Sequence, residues 1–225
     1  MAERAVVAGV GPGLGWHLVK RFAAAGMEVT MAARRRDALD ALLAAEPVAG
    51  VTSAACDVAD EQSVQGLFEA AGPVDVVVFN AGAFQRGGVL DLDAENFERC
   101  WRVGCLGGFL VGQAAARQMV PRGAGSILFT GATASVRGSA GFAALAVPKF
   151  GLRALAQSMA RELGPKGVHV AHVIVDGQIG ACAADDLDPA TLDPAALAEV
   201  FFQLHRQPRS TWTQELDLRP ASEKF

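Results

Sequence analysis

The segment AGVGPGLG, residues 8–15, has the composition of a phosphate-binding turn. It follows a β-branched run at residues 4–10 and precedes an amphipathic stretch. Glycine permits a tight turn and lets backbone N–H groups approach a phosphate at the N-terminus of a helix. An ordinary glycine-rich turn is the alternative, but the position between the first strand and the first helix favours phosphate binding. The predicted contacts in this turn are Gly9, Gly11, Gly13, Leu14 and Gly15.

Three arginines follow the second strand-like run, residues 27–33. At this distance from the glycine motif a dinucleotide site selects its ribose, because an acid accepts the 2′-hydroxyl of NAD whereas arginine suits the 2′-phosphate of NADP. This chain has Arg34, Arg35 and Arg36 there and no acid. A solvated charge run at the start of a helix is the alternative. We predict that NADP(H) is bound in preference to NAD(H), with Arg34 and Arg35 at the phosphate.

Two further signals follow the third and fourth strand-like runs. In CDVAD, Asp57 is placed to accept a hydrogen bond from an adenine amine, and Val58 adjoins it. In NAG, a polar residue precedes two small residues that permit close backbone approach, namely Asn80, Ala81 and Gly82. Ligands of open parallel sheets bind outside the carboxyl ends of the strands. Each signal is weak alone, but their order at successive strand ends predicts a dinucleotide site.

The stretch FAALAVPKFGLRALAQSMARELG, residues 142–164, predicts a mostly buried helix that carries one ammonium group. Apolar residues recur at i, i+3, i+4, i+7 spacing from Leu152 to Leu163, and Lys149 lies on the same face. A surface lysine whose stem covers apolar area is the alternative. A mid-helix proline costs about 3 kcal/mol. Because Pro148 precedes the lysine, we expect the helix to start or kink close to Lys149.

Strand-like runs alternate with helical segments along the chain, which implies a parallel sheet covered on both faces. No linker or repeat interrupts the alternation, so we predict one α/β domain over residues 1–225. The predicted strands cover 4–10, 27–33, 51–58, 74–80, 125–132 and 167–177, with a possible edge strand at 214–220. The other predicted helices run from the glycine turn to Ala25, over 37–46 and 61–71, from about 94 to 119, and over 194–206.

Composition excludes several classes of partner. The net charge is −4, and Arg34–Arg36 is the only basic cluster, so neither a nucleic acid nor an anionic membrane surface is expected. The long apolar stretches are interrupted by glycine or charge, and no cleavable signal precedes the first strand, which favours the cytoplasm. The four cysteines, which include Cys182, have no CxxC spacing and are expected to be reduced.

The sequence resembles the short-chain dehydrogenase/reductase family over nearly its whole length. The resemblance rests on the glycine motif, Asp57, the NAG motif, ARELGPKGVHV at 160–170 and DGQI at 176–179, all in the order and spacing of that family. It implies a Rossmann-type, doubly wound parallel sheet of about seven strands and a nicotinamide cofactor, with Gly177 and Ile179 among its contacts. It also implies that Lys149 binds both hydroxyls of the nicotinamide ribose.

Three of the four catalytic positions of that family lack their usual side chain here. The general-acid tyrosine is replaced by Leu145, and the chain contains no tyrosine. The serine thirteen residues before it is Ala132, and the asparagine of the preceding long helix is Gly104 in VGCLGGF. Only Lys149 is retained. The pattern therefore resembles a divergent subgroup that lacks the usual tetrad.

The identity of the proton donor is left open by these replacements. Asp176 stands where the family has proline and is a candidate, although an ordinary turn aspartate is the alternative. Lys149 could donate directly or through the ribose hydroxyl, with its pKa lowered by burial, or water could donate. A substrate such as an iminium would need little help. We predict reduction of a small carbonyl or imine-like compound; the alternative is a cofactor-binding sensor or scaffold without turnover.

The remaining candidate sites are weaker. A Ser-His-Asp nucleophile or a metal site is not expected, because no histidine ends a strand, and His169 and His172 should face opposite sides of one strand. The acidic segment 183–194 is expected to form a solvated lid region. The predicted substrate pocket is apolar, with contributions from Leu145, Ala132 and Trp101 or Trp212.

Four glycines give the long helix a face of small residues, namely Gly104, Gly107, Gly108 and Gly112. Each glycine in a helix costs nearly 1 kcal/mol relative to alanine, so close packing should compensate. In the family that the chain resembles, this helix and the lysine helix form a dimer interface. We therefore predict a homodimer or homotetramer, with packing inside one chain as the alternative.

Overall fold

Continuous apolar runs form the central strands, because a strand covered by helices on both faces has no side in water. All four residues of Val76–Phe79 and all seven of His169–Val175 are buried. The computed structural model describes residues 2–180 and 190–222. Cys182 and most of the acidic segment 183–194 lie outside the described residues.

The strands are β1 (Arg4–Ala8), β2 (Glu28–Ala33), β3 (Val51–Ala55), β4 (Val76–Phe79), β5 (Ser126–Thr130), β6 (His169–Val175), β7 (Gln178–Ile179), β8 (Thr191–Leu192) and β9 (Glu215–Leu218). The helices are α1 (Leu14–Ala24), α2 (Arg36–Ala45), α3 (Glu61–Ala71), α4 (Ala94–Trp101), α5 (Gly107–Met119), α6 (Ala143–Leu163) and α7 (Pro194–His205). A π-helix, Arg102–Leu106, joins α4 to α5.

Seven strands form one parallel sheet in the order β3-β2-β1-β4-β5-β6-β9, and β7 pairs with β8 separately. The sheet confirms the predicted doubly wound architecture, including the edge strand near the C-terminus. The chain leaves β1 in one direction toward β3 and returns to add β4 on the other side, so the strand order reverses between β1 and β4. Ligands of such sheets bind outside the carboxyl ends of the strands at this reversal.

Two apolar layers hold the helices against the sheet. On one face, Phe22 of α1, Leu39 of α2 and Phe201 of α7 are buried. On the other face, the core is formed by residues of α3, α5 and α6, such as Met119 and Leu152. The loops that follow each strand therefore begin from a sheet that is packed on both faces.

Helix α6 begins at Ala143, six residues before Lys149, and Pro148 lies within it. The expected start beside the lysine is therefore wrong, whereas the alternative, a kink close to Lys149, stays a prediction. Buried contacts of Ala144 and Leu152 on either side of the proline extend the helix through it, despite the hydrogen bond that proline cannot donate. The ring of Pro148 also fills the space beside Gly104 of the π-helix, where an added methyl carbon would lie 3.0 Å from its Cβ.

The small-residue face of the long helix packs inside the chain. A methyl on Gly107 would lie 2.9 Å from Val58, and one on Gly112 would lie 3.0 Å from Met159. Close packing thus compensates for these glycines, and they give no support to an interface between two copies. Within the described ranges, no helix combines the length and apolar character that a membrane span needs.

Candidate functional site

The glycine turn between β1 and α1 is held against the loop that follows β4. Gly9 has φ 99°, and a methyl there would overlap the backbone of Ala81. The Asn80 side chain donates a hydrogen bond to the Gly9 carbonyl at 2.9 Å. A side chain on Gly15 would lie 2.8 Å from Val10 Cα. These contacts bring the first and fourth strand ends together, as the sequence predicted.

Three other glycines of these loops face open space. Beyond its chain neighbours, a methyl on Gly11, Gly13 or Gly82 would meet no atom of the described residues within 4 Å. Gly13 caps α1 without a side-chain hydrogen bond. Backbone N–H groups at a helix N-terminus favour anions, and the absence of side chains lets a phosphate approach them closely. The residues present therefore fit a dinucleotide pyrophosphate.

A cavity of about 280 Å³ lies at the carboxyl ends of β1 to β4. Most of the predicted cofactor residues line it, namely Gly9, Gly11, Arg34, Asp57, Val58, Asn80, Ala81 and Gly82. Asp57 is exposed and accepts a hydrogen bond from the Ala59 amide through Oδ1 at 3.0 Å. The structure thus brings together residues that the sequence placed at separate strand ends.

A second cavity of about 600 Å³ continues from the first between the glycine turn and α2. Its lining includes the apolar side chains Leu39 and Leu42 and the cations Arg34 and Arg35. Both arginines are exposed, and neither has an ion-pair partner among the residues described, whereas Arg36 lies 3.8 Å from Asp40. An apolar wall beside unpaired cations suits an adenosine that carries a phosphate.

Lys149 is buried, with 7% of its surface exposed, and so differs from a surface lysine with its ammonium in water. Its Nζ donates a hydrogen bond to the carbonyl oxygen of Thr130, at the carboxyl end of β5, at 2.6 Å. Burial lowers the pKa of Lys149 to about 8. An ammonium with such a pKa can release a proton near neutral pH.

The three replaced positions lie on the elements around Lys149. Leu145 is half-buried one helical turn before it on α6, and Ala132 is half-buried just after β5. Gly104 lies in the π-helix against Pro148. None of these three residues has a side-chain hydroxyl or amide, so the ammonium is the proton-donating side chain among the four positions.

Asp176 follows β6 and is engaged by two side chains. The Thr133 hydroxyl donates a hydrogen bond to its Oδ1, and Arg219 Nη2 lies 3.1 Å from its Oδ2. Its backbone amide donates to Leu218 at 2.8 Å. Both carboxylate oxygens therefore contact side chains of the protein, which favours the structural interpretation of Asp176 over a role as proton donor. Gly177 follows it directly, and Ile179 is the second residue of β7.

A largely buried chain of polar groups, which the sequence analysis did not predict, lies beside Lys149. The Ser135 hydroxyl lies 3.3 Å from His172 Nε2, and His172 Nδ1 lies 3.1 Å from Glu215 Oε2. Ser135 and His172 are fully buried, so this serine cannot act as a nucleophile on a substrate. His172 and Glu215 are register partners on β6 and β9, and that pairing is the signal that could have found them.

The two aromatic candidates for the substrate pocket lie in different places. Trp212 stacks on His169 with ring centroids 4.9 Å apart, at the amino end of β6. It is therefore at the opposite edge of the sheet from the Thr130 carbonyl, and its expected place in the pocket is wrong. Trp101 ends α4 and is 38% exposed.

Comparisons with known proteins agree with this geometry. A family model described as short chain dehydrogenase matches residues 3–182. A curated relative from Melia azedarach, (21S)-21-acetoxyl-apo-melianone synthase SDR, is 33% identical over 202 residues, which cover 87% of this chain and 74% of the relative.

Two solved structures extend the comparison. The crystal structure of a short-chain dehydrogenase from Rhodopseudomonas palustris is 40% identical, with a TM-score of 0.86 and coverage of 97% of this chain and 98% of that one. A metagenomic short-chain oxidoreductase in complex with NADP is 27% identical, with a TM-score of 0.83 and coverage of 98% of both chains.

Proposed function

The chain belongs to the short-chain dehydrogenase/reductase family of NAD(P)-dependent oxidoreductases, and from this premise we propose that it reduces a small carbonyl or imine-like substrate with NADPH, Lys149 supplying the proton. The observation that carries the proposal is the buried ammonium of Lys149, which lies 2.6 Å from the Thr130 carbonyl beside positions that have lost their hydroxyl groups.

NADPH is the proposed cofactor. The unpaired Arg34 and Arg35 would hold the 2′-phosphate, and the open glycines Gly11 and Gly13 would admit the pyrophosphate. The metagenomic relative that was solved with NADP supports the same choice. The full set of proposed contacts is Gly9, Gly11, Gly13, Leu14, Gly15, Arg34, Arg35, Asp57, Val58, Asn80, Ala81, Gly82, Lys149, Gly177 and Ile179.

Reduced nicotinamide, when bound, supplies a hydride to the electrophilic carbon of the substrate. With a carbonyl substrate the developing alkoxide needs a proton, and a positioned general acid contributes about 10²–10⁴-fold to the rate. Lys149 provides this proton directly or through a ribose hydroxyl, because its pKa of about 8 lies near neutral pH. Asp176 is the weaker candidate, since Arg219 pairs with its carboxylate.

The lost side chains favour substrates that need little stabilisation of an oxyanion. Removing an oxyanion donor costs about 10²–10³-fold on a ketone. An iminium carbon is already electrophilic, and it gains no negative charge when it accepts hydride. We therefore place iminium ions, and carbonyls polarised by their own substituents, ahead of simple ketones.

A second candidate function is NADP(H) binding without turnover, as a sensor or scaffold. It is favoured by Leu145, Ala132 and Gly104, which leave three catalytic positions without a polar side chain. Titration of NADPH and NADH, followed by a panel of carbonyls and imines, separates the two functions. The enzyme proposal expects tight NADPH binding and oxidation of NADPH by at least one activated substrate. Tight binding without oxidation by any of the panel would establish the second function instead.

We also propose that the chain forms a homodimer or homotetramer through α5 and α6. Phe109 of α5 and Val147 and Phe150 of α6 are each more than 40% exposed. Large apolar side chains in solvent favour association with another surface. Light scattering at several protein concentrations would test it, and a single monomeric mass would contradict it.

A further inference from the structure

We propose that His172 is a positioning residue for Lys149. It acts through a series of contacts, here called the ring, that runs from Lys149 through Thr130, Gly131, Ser135, His172 and Glu215 to Arg153. The ring therefore begins and ends on α6. The inference rests on the proposed function, in which the Lys149 ammonium binds the cofactor ribose and supplies the proton. It concerns groups that the proposed chemistry leaves unused, namely Ser135, His172 and Glu215.

The first half of the ring connects the ammonium to the turn after β5. Lys149 donates to the Thr130 carbonyl at 2.6 Å, and Gly131 follows directly. Gly131 lies against the buried pair, since a methyl on it would lie 2.6 Å from His172 Cε1 and 2.9 Å from Ser135 Oγ. The Thr130 carbonyl shares a planar peptide unit with the Gly131 amide, which donates to the Val173 carbonyl of β6 at 2.7 Å. The position of this peptide therefore depends on that hydrogen bond and on the packing of the two side chains against Gly131.

The second half returns to the helix. The Ala132 amide donates to Ser135 Oγ at 3.1 Å, and Ser135 Oγ lies 3.3 Å from His172 Nε2. His172 Nδ1 lies 3.1 Å from Glu215 Oε2. Arg153 donates to both oxygens of Glu215, at 2.7 and 2.6 Å. Arg153 is one helical turn beyond Lys149, so the ring closes on α6.

One protonation state satisfies every group in the ring. Nδ1–H of a neutral His172 donates to the Glu215 carboxylate, and Nε2 accepts the Ser135 hydroxyl proton, which leaves the Ser135 oxygen to accept from Ala132. A protonated imidazole would leave the buried hydroxyl proton without its acceptor. Burial lowers the pKa of His172 to about 4; the groups that act on it are Glu215 on β9 and the cations Lys149 and Arg153 on α6.

The ring has a consequence for the charge on Lys149. Burial favours the neutral amine, whereas a carbonyl aimed at Nζ favours the ammonium. When Ser135 or His172 no longer packs against Gly131, the Thr130–Gly131 peptide can shift on its remaining hydrogen bond to Val173, which lengthens the contact between the Thr130 carbonyl and Nζ. The pKa of Lys149 should then fall further below 8, although no charged group has been changed.

The test measures NADPH affinity from pH 6 to 9.5, by the fluorescence of the reduced nicotinamide, for wild type, Ser135→Ala and His172→Gln. Wild type is expected to lose affinity with an apparent pKa near 8, and Lys149→Met should abolish that transition. Loss of a hydrogen bond to a charged group should lower the apparent pKa of the two ring variants by about 1 unit.

Ser126→Ala is the matched control. Like Ser135, Ser126 is a buried serine bonded to a histidine, with Oγ 3.0 Å from His205 Nδ1. It lies at the amino end of β5, whereas Ser135 follows the carboxyl end. Its loss should lower stability and leave the pH profile unchanged. Ser135→Ala, a small and uncharged change, decides the question if His172→Gln does not fold.

The outcomes separate the two proposals. If Lys149→Met abolishes the transition but Ser135→Ala keeps the wild-type profile, the ring does not position Lys149 and the inference is overturned. If wild type does not bind NADPH, or binds it without a transition near pH 8, the proposed role of Lys149 is overturned, whatever the variants of Ser135 and His172 show. A lowered apparent pKa in Ser135→Ala but not in Ser126→Ala supports the ring.

Discussion

The ammonium of Lys149 and the carbonyl oxygen of Thr130 lie 2.6 Å apart in the buried region between α6 and the end of β5. This contact places the charged group of the helix at the carboxyl edge of the sheet, where the open glycines of the first turn also lie. The proposed chemistry depends on it, because a lysine at the surface would have an ordinary pKa and no fixed direction.

Arg34→Ala with Arg35→Ala should remove the preference for NADPH. Charge-assisted hydrogen bonds contribute about 1.5–3 kcal/mol, so NADPH affinity should fall about 10–100-fold while NADH affinity changes little. Titration calorimetry with both cofactors measures this. Arg36→Ala is the control, because Arg36 Nε bonds to Ser53 at 3.3 Å. Unchanged preference in the double variant would refute the assignment of the 2′-phosphate site.

Gly11→Ala should lower NADPH affinity, whereas Gly9→Ala should lower the stability of the protein. Apart from its chain neighbours, a methyl on Gly11 meets none of the described atoms within 4 Å, so stability should be retained while NADPH affinity falls as the methyl enters the phosphate space. Gly9 has φ 99° and touches Ala81, so Gly9→Ala should lower the melting temperature of the protein without ligand. Thermal unfolding and NADPH titration check both variants. Wild-type NADPH affinity in Gly11→Ala would mean that the phosphate lies elsewhere.

The buried ammonium should also appear in the pH dependence of stability. The pKa of Lys149 is lowered from 10.5 to about 8 on folding, so the unfolded chain binds more protons between these values. Wild type should therefore gain about 3 kcal/mol in the free energy of unfolding, relative to Lys149→Met, as the pH rises from 7 to 10.5. Urea unfolding of both proteins at the two pH values measures the difference. A constant difference would show that the pKa of Lys149 is not lowered.

Gly104→Asn, which restores the amide of the family, should be tolerated better when Pro148 is also replaced. An added Cβ at Gly104 lies 3.0 Å from Pro148 Cβ, and overpacking of this kind costs about 1–3 kcal/mol. In a double-mutant cycle with Pro148→Gly, which removes that Cβ, the penalty for asparagine should shrink by that amount. Additive effects on the free energy of unfolding would show that the proline and the glycine do not restrict each other.

Local sequence patterns predicted the frame of the site but not its buried polar contacts. The order of strands and helices, the glycine turn and the NAG contact follow from periodicity and from residues that work through the backbone, such as Gly9. The helix start expected next to Pro148 is wrong, because the packing of Pro148 against Gly104 outweighs the low helix propensity of proline. His172 and Glu215 meet through the register of an edge strand, which no local pattern encodes.

The most direct test of Lys149 as the proton donor is the pH dependence of NADPH oxidation in a single turnover, with a carbonyl substrate from the panel, for wild type and Lys149→Met. The ammonium is the proposed donor and its pKa is about 8, so the rate in wild type should be constant below that pH and fall above it. Lys149→Met should be slower by about 10²-fold or more and should lack the transition. Oxidation in Lys149→Met at the wild-type rate, at every pH, would contradict the assignment of Lys149 as the proton donor.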